Sequence, residues 1–234
     1  MKTSVKKVKI PKKELKKKQT LKEIHHENKF IEFLQKFWFV VWKDDSFRGW
    51  ILSLLFIFIV IKFIFFPLLN LVTGTTLPLA IVESCSMYHQ GNLFSEFDDW
   101  WFRHQDKYAE FDLTKFTFEN SNFKNGFTKG DILFIVGKDP GKLKIGDVII
   151  FNGNERNPII HRIMSIEQDK ITGKYVFSTI GDNNEGQLIV EKNISEDQIV
   201  GKAVVRIAPY IGWGKLVFFE YKRPVSERGG CTER

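Results

Sequence analysis

The stretch Val82-Glu83-Ser84-Cys85-Ser86-Met87-Tyr88-His89 carries two hydroxyls two residues apart, at the end of an apolar run from Leu77 to Val82. In an extended segment side chains alternate, so Ser84 and Ser86 would point to the same face. Such a pair could hold a nucleophile. Serine's hydroxyl is a poor one until a neighbouring base takes its proton, and an acyl intermediate needs donors on its oxyanion. Serine also suits ordinary turns, so the pair acquires meaning only if the rest of the chain supplies a base.

Of the five histidines, His25 and His26 lie in a Lys-rich leader, His104 in an aromatic segment, and His89 three residues beyond Ser86. That leaves His161 within Ile159-Ile160-His161-Arg162-Ile163. On an alternating strand Ile159, His161 and Ile163 share a face, so the imidazole should sit among apolar side chains. A buried structural histidine is the competing reading. Gly181-Asp182-Asn183-Asn184 has the composition of a turn. It would also present a carboxylate at a strand end, where it could hold an imidazole in one tautomer.

The elements that must position these residues begin with a membrane anchor. The chain has 234 residues and a net charge of +7, room for one medium domain plus an anchor. Residues 1–30 hold eleven Lys and three Glu, a balance of +8, so the remainder sums to about −1. A nucleic-acid footprint on the folded part is therefore disfavoured. Trp50 to Val72 is apolar and about as long as a bilayer core requires. It is too long and too far from the start for a cleavable signal peptide. Lys62 interrupts it, and Pro67 is expected to kink or end the helix. Lysines precede the span and few positive charges follow it, which predicts a cytoplasmic N-terminus and an extracytoplasmic remainder. The organisation read from this is a tail and juxtamembrane helix over 1–48, a transmembrane helix over 49–73, and a β domain over 74–222. A disordered tail over 223–234 follows.

Within the β domain, residues 92–127 form an aromatic insertion that suits either a lipid interface or a small satellite core. From Thr128 short β runs separated by Gly, Asn, Asp and Pro predict strands over Ile132 to Val136, Val148 to Phe151, Ile159 to Ile166, Tyr175 to Ile180 and Gln198 to Ile207. The fold class expected is mainly β, a barrel or sandwich outer domain behind one N-terminal transmembrane helix. Tyr210 to Tyr221 is too short to span a bilayer and reads as an interfacial or packing segment. Cys85 and Cys231 match neither a disulfide framework nor a zinc spacing. Cys85 reads as a small apolar residue facing away from the serines, with a thiol nucleophile as its rival.

Taken together these residues resemble the signal peptidase I family in its archaeal and endoplasmic-reticulum form. The family's S-x-S-M-x-P box is similar to Ser84 through His89, its R/K-G-D turn to Lys129-Gly130-Asp131, and its G-D-V-I/V strand to Gly146-Asp147-Val148-Ile149. Its H-R pair resembles His161-Arg162, and its G-D-N-N box Gly181 through Asn184. The resemblance implies a membrane-bound serine endopeptidase with Ser86 as nucleophile and His161 as general base. Asp182 would support His161 or hold the adjoining loop, and Ser84 would serve the oxyanion. It implies no metal or organic cofactor. The implied partners are preprotein signal peptides, membrane lipid and the protein-export machinery, with no nucleic acid. A catalytically silent anchored β domain that scaffolds export components is the alternative. His89 stands where the family has Pro. The further Asp that often follows the G-D-N-N box is replaced by Gly186-Gln187-Leu188, with Glu185 and Glu191 as substitutes.

Overall fold

The structure, a computed structural model, describes residues 29–91, 97–111, 113–153 and 157–233. The expectations for the Lys-rich leader over 1–28 fall outside these residues. The chain divides into two units, residues 1–67 and 68–234.

In the first unit, residues 29–42 are helical. Ser46 then caps the next helix by accepting from Gly49 N at 3.1 Å, satisfying one of the amides that lack an intrahelical partner. The two helices fold back on each other. Phe37 meets Phe56 edge to face at 5.2 Å, and the Ser53 hydroxyl donates to the Val41 carbonyl. The second helix, Phe47–Thr73, is the one helix among the described residues long and apolar enough to cross a membrane. Pro67 does not end it. A π turn over Ile61–Phe65, with Phe66 N bonded to Ile61 O, lies immediately before Pro67, and helical structure resumes through Thr73. A local change of this kind accommodates an imide that cannot donate. Lys62, on that turn, lies 5.4 Å from the Phe63 ring centroid and 5.7 Å from that of Phe58.

The second unit is built on a curled, seven-stranded antiparallel sheet. Its strands are β1 (Leu79–Ile81), β2 (Ile132–Val136), β3 (Val148–Phe151), β4 (Ile159–Gln168), β5 (Tyr175–Ile180), β6 (Ile194–Ser195) and β7 (Ile199–Ala208). Their order across the sheet is β1-β2-β7-β3-β4-β5-β6. The mainly β expectation therefore holds, and the short apolar runs flanked by turn residues are what produced it. β3 is buried along its whole length, as a strand between two covered faces must be. The sequence expectation missed β6, whose two residues are too few to show a period.

Three apolar clusters divide the interior. One lies around Val82, Met87, Phe127, Leu133 and Val148, and another around Ile149, Phe151, Ile163 and Phe177. The third is the aromatic insertion, where Phe97, Trp100, Trp101, Tyr108 and Phe118 pack with Met164 and Ile180. Of the two roles open to the insertion, it takes that of a satellite core, although Phe102 and Phe116 remain exposed.

The turn before β2 shows how tightly the sheet edge is set. Gly130 has φ +90°, and a Cβ there would lie 2.2 Å from Cδ1 of Trp213. Trp213 belongs to the Tyr210–Tyr221 segment, which packs through this contact and through buried Leu216 while leaving Ile211 and Phe218 exposed. Asp131 closes the turn, accepting from Thr128 N at 2.9 Å and Tyr210 N at 3.1 Å, and it pairs with Arg206 at 3.0 Å. Gly130→Ala adds both backbone strain and a clash with an indole, so we expect it to cost about 2 kcal/mol or more. Denaturant unfolding with an unchanged slope would measure that loss.

Candidate functional site

The serine pair sits in a turn, because β1 stops at Ile81. Beyond it, the backbone of Val82 still pairs with the turn before β2, Val82 N to Asp131 O and Gly130 N to Val82 O, each at 2.9 Å. Tyr88 N then bonds Cys85 O at 3.1 Å, closing a tight turn around Ser86. Met87 anchors that turn as a buried side chain, and its carbonyl accepts from Phe127 N at 2.9 Å. The two hydroxyls do share a face, with Ser84 Oγ and Ser86 Oγ 3.2 Å apart. Ser84 is exposed and Ser86 half-buried.

The other boxes converge on this turn. Asn183 N donates to Ser86 O at 2.7 Å, and its side-chain amide donates to Cys85 O at 3.0 Å. His161 is buried on β4, opposite Ile149 of β3. Gly181 is the point where the two meet. A Cβ built there would lie 2.8 Å from Nε2 of His161 and 2.8 Å from the carbonyl oxygen of Ser86. Any side chain at 181 would thus intrude between the imidazole and the serine turn, and glycine is the residue that keeps the approach open.

The carboxylate on His161 is Glu191. Its Oε1 bonds His161 Nδ1 and accepts from Thr179 Oγ1 at 3.1 Å, and its Oε2 accepts from Leu188 N at 2.7 Å. Glu191 is wholly buried at the end of a short 3-10 turn, Ile189–Glu191. A carboxylate can only accept, so Nδ1 donates in this bond, and Nε2 is the nitrogen that faces Gly181 and the Ser86 carbonyl. Of the substitutes named from sequence, Glu191 has this position. A signal was present, since it is an acid embedded in Leu188-Ile189-Val190, but the turn that aims it back at β4 is tertiary.

Asp182 faces elsewhere. Its carboxylate takes Arg162 Nε at 3.0 Å, an Arg162 terminal nitrogen at 2.7 Å, His89 Nε2 at 3.1 Å and the Tyr108 hydroxyl at 3.3 Å. Of the two roles the resemblance allowed it, this geometry corresponds to holding the adjoining loop. Burial opposes its ionisation, but Arg162 and the hydrogen bond from His89 outweigh it and hold the carboxyl well below the usual carboxylate range. The loop is reinforced by Lys107, whose ammonium donates to the carbonyls of Asp182 and Asn184.

His89 belongs to this second network. It is fully buried, stacked on Trp100 with ring centroids 3.7 Å apart. Burial pushes its pKa down despite the nearby carboxylate. It is a neutral packing residue where the resemblance would have a proline.

The cysteines overturn the sequence expectation. Cys85 and Cys231 form a disulfide across 146 residues, so Cys85 is neither a free apolar residue nor a thiol nucleophile. Spacing alone could not pair them, because only the folded chain brings the C-terminal segment beside the serine turn. The segment expected to be disordered instead carries a 3-10 turn at Val225–Glu227 and is tied down by this bond. Cross-linking a loop of that length contributes about 5 kcal/mol in the chain-entropy picture.

Two outcomes follow for stability. Asp182→Asn leaves Arg162 buried without its counter-charge, and unfolding should be easier by about 3–5 kcal/mol. Folding lowers the pKa of both His89 and Asp182, so the unfolded chain binds more protons than the native one as pH falls. Stability should decline below about pH 6.5 through His89 and further below about pH 4 through Asp182, by at most about 1.4 kcal/mol per pH unit for each group. Denaturation midpoints measured from pH 7 to 5 should fall less steeply in His89→Phe than in the natural chain.

Comparison with known proteins adds the following. The signal peptidase complex catalytic subunit SEC11 of Lachancea thermotolerans is 33% identical over 110 residues, which are 44% of this chain and 64% of that protein. The corresponding sec11 of Dictyostelium discoideum is 31% identical over 101 residues, 41% of this chain and 55% of that protein. SEC11C of Homo sapiens is 28% identical over 114 residues, 44% and 56% respectively. The chain therefore spans between 55% and 64% of the length of these curated relatives. No protein-family model matches it. Over the matched stretch the chain is a homologue of the catalytic subunits of the signal peptidase complex.

Proposed function

We propose that this chain is a membrane-bound serine endopeptidase that removes signal peptides from exported preproteins. The observation that carries the reading is the meeting at Gly181, where the free face of the His161 imidazole and the Ser86 backbone both approach one point within 2.8 Å. Ser86 is the nucleophile, His161 its general base, and Glu191 the carboxylate that fixes the imidazole. Homology to signal peptidase catalytic subunits supports the substrate class.

The chemistry divides into two halves. Ser86 Oγ attacks the scissile carbonyl carbon while its proton passes to His161 Nε2. The resulting oxyanion takes hydrogen bonds from the Ser84 hydroxyl and the Ser86 backbone N–H. Glu191 favours the imidazolium that forms at this step. Collapse of the tetrahedral intermediate expels the new N-terminus of the mature protein, which receives the proton from Nε2. Water then attacks the Ser86 ester, His161 taking its proton and returning it to Ser86 Oγ as the ester bond breaks, and the released carboxyl end belongs to the signal peptide.

The substrate strand has a place to pair. β1 stands at one end of the sheet order and leads directly to the serine turn, so an extended peptide could add along its outer edge. Small side chains before the cut suit an approach this close to backbone. The membrane reading rests on the Phe47–Thr73 helix and the lysines ahead of it. The disulfide suits an extracytoplasmic, oxidising location for the β domain.

Cleavage of a preprotein by the purified chain in detergent tests the proposal. Ser86→Ala and His161→Ala should each abolish turnover, and full activity in either would sink it. Glu191→Gln keeps the shape of the side chain but weakens control of the tautomer, and kcat should drop roughly 10²- to 10⁴-fold. Asp182→Asn, assayed at a temperature where it remains folded, should lose less than Glu191→Gln.

A further inference from the structure

The C-terminal segment touches three of the sequence boxes, the aromatic insertion and its own preceding stretch, where Gly229 N donates to Glu220 Oε1 at 3.1 Å and Arg228 to the carbonyls of Tyr221 and Arg223. Lys129 Nζ donates to the carbonyls of Glu227 at 2.7 Å and Gly229 at 3.3 Å. Cys231 is bonded to Cys85, between the two serines. Asn183 Nδ2 donates both to Thr232 O at 2.9 Å and to Cys85 O at 3.0 Å, while Asn183 N holds Ser86 O. Glu233 closes the path on the insertion, 3.3 Å from Arg103 and 3.5 Å from His104.

Apart from these polar contacts the segment is thinly packed. Residues 224–230 are exposed, and a Cβ at Gly230 would meet nothing within 4 Å. A strand of chain with so little buried apolar surface sits at the low end of local stability. The one covalent bond from it to the serine turn is Cys85–Cys231, beside the hydrogen bond from Asn183 to Thr232. That turn in turn lies outside the sheet ladder and relies on such contacts for its geometry.

We propose that residues 228–233 are a strap that positions Ser86, fastened by the Cys85–Cys231 disulfide and released by thiol–disulfide exchange. Both cysteines are only partly buried, so an external dithiol can reach the bond. Its thiolate attacks one sulfur and displaces the other as a thiolate. The second thiol of the reductant then resolves the mixed disulfide, leaving two protein thiols and an oxidised dithiol, a balanced transfer of two electrons and two protons. With the strap free, Asn183 loses its partner at Thr232 and the serine turn loosens around an otherwise intact sheet. The strap alters the position of the candidate nucleophile and not the chemistry of the imidazole.

The kinetic arm of this inference rests on the proposed peptidase reading; the structural arm does not. The test uses the full chain in detergent, oxidised or treated with dithiothreitol, alongside Cys231→Ser, with the thiol state read by alkylation and mass. Amide hydrogen exchange over residues 82–91 should quicken by roughly tenfold when the bond opens, while β3 and β4 keep their protection. Preprotein cleavage should lose roughly tenfold in kcat with KM nearly unchanged, as expected for a displaced nucleophile. Reoxidation should restore both in the natural chain and neither in Cys231→Ser. Unchanged exchange at the serine turn with the bond open overturns the strap. So does a loss of protection spread through β3 and β4, which would make the disulfide a stability device alone. Faster exchange at the turn in a chain that never cleaves a preprotein would uphold the strap and refute the peptidase reading.

Discussion

The buried pair between Arg162 and Asp182 is the interaction on which the second unit depends. Arg162 has no exposure, yet its guanidinium is fully engaged. Beyond Asp182 it donates to Ser121 Oγ, to the carbonyls of Asn122, Phe123 and Gly146, and it lies 4.0 Å from the Phe118 ring centroid. Those partners come from the aromatic insertion, the turn before β3 and the turn after β5. A buried ion pair contributes little net stability over an apolar replacement, but it tolerates very few geometries. Its consequence here is that three loops of unrelated sequence have one mutual arrangement.

That arrangement reaches the candidate site through the alternation of strands. His161 and Arg162 are neighbours on β4, so their side chains leave opposite faces. Gly181 and Asp182 repeat the pattern at the end of β5, with the glycine under the imidazole and the acid under the guanidinium. The charged network thus lies behind the site and not within it. A carboxylate already committed to a guanidinium, a second imidazole and a phenol has no lone pair left for His161, and Glu191 supplies that need separately. The neutral state of His89, stacked in the aromatic cluster, keeps Arg162 as the main cationic partner of Asp182.

Much of this was legible because it is local. The strands at Ile132–Val136, Val148–Phe151 and Tyr175–Ile180 lie where short β runs bounded by turn residues put them. The boxes around Ser86, His161 and Gly181 were legible as types of residue in order. What each side chain touches was not. Reading Asp182 as a carboxylate at a strand end was sound, but which face it serves depends on the insertion, whose fold has no short-range signature. Glu191 needed the 3-10 turn before it, and the disulfide needed a contact across 146 residues. The C-terminal segment looked disordered for a physical reason, since its polar composition cannot hold it in place without the covalent bond.

The serine turn itself illustrates why such distant constraints are required. β1 ends at Ile81, five residues before Ser86, and fixing each backbone residue outside a ladder costs about 1–2 kcal/mol in conformational entropy. No secondary structure offsets that cost at 84–86. It is met by individual bonds from elsewhere: Asp131 and Gly130 to Val82, Phe127 to Met87, Asn183 to Ser86 and Cys85, and the bond to Cys231. Every one of these comes from a segment at least 40 residues downstream of its partner in sequence. The Ser86 hydroxyl, the nucleophile of the proposed reaction, is therefore held by the whole domain, and changes far from Ser86 in sequence act on it through these few contacts.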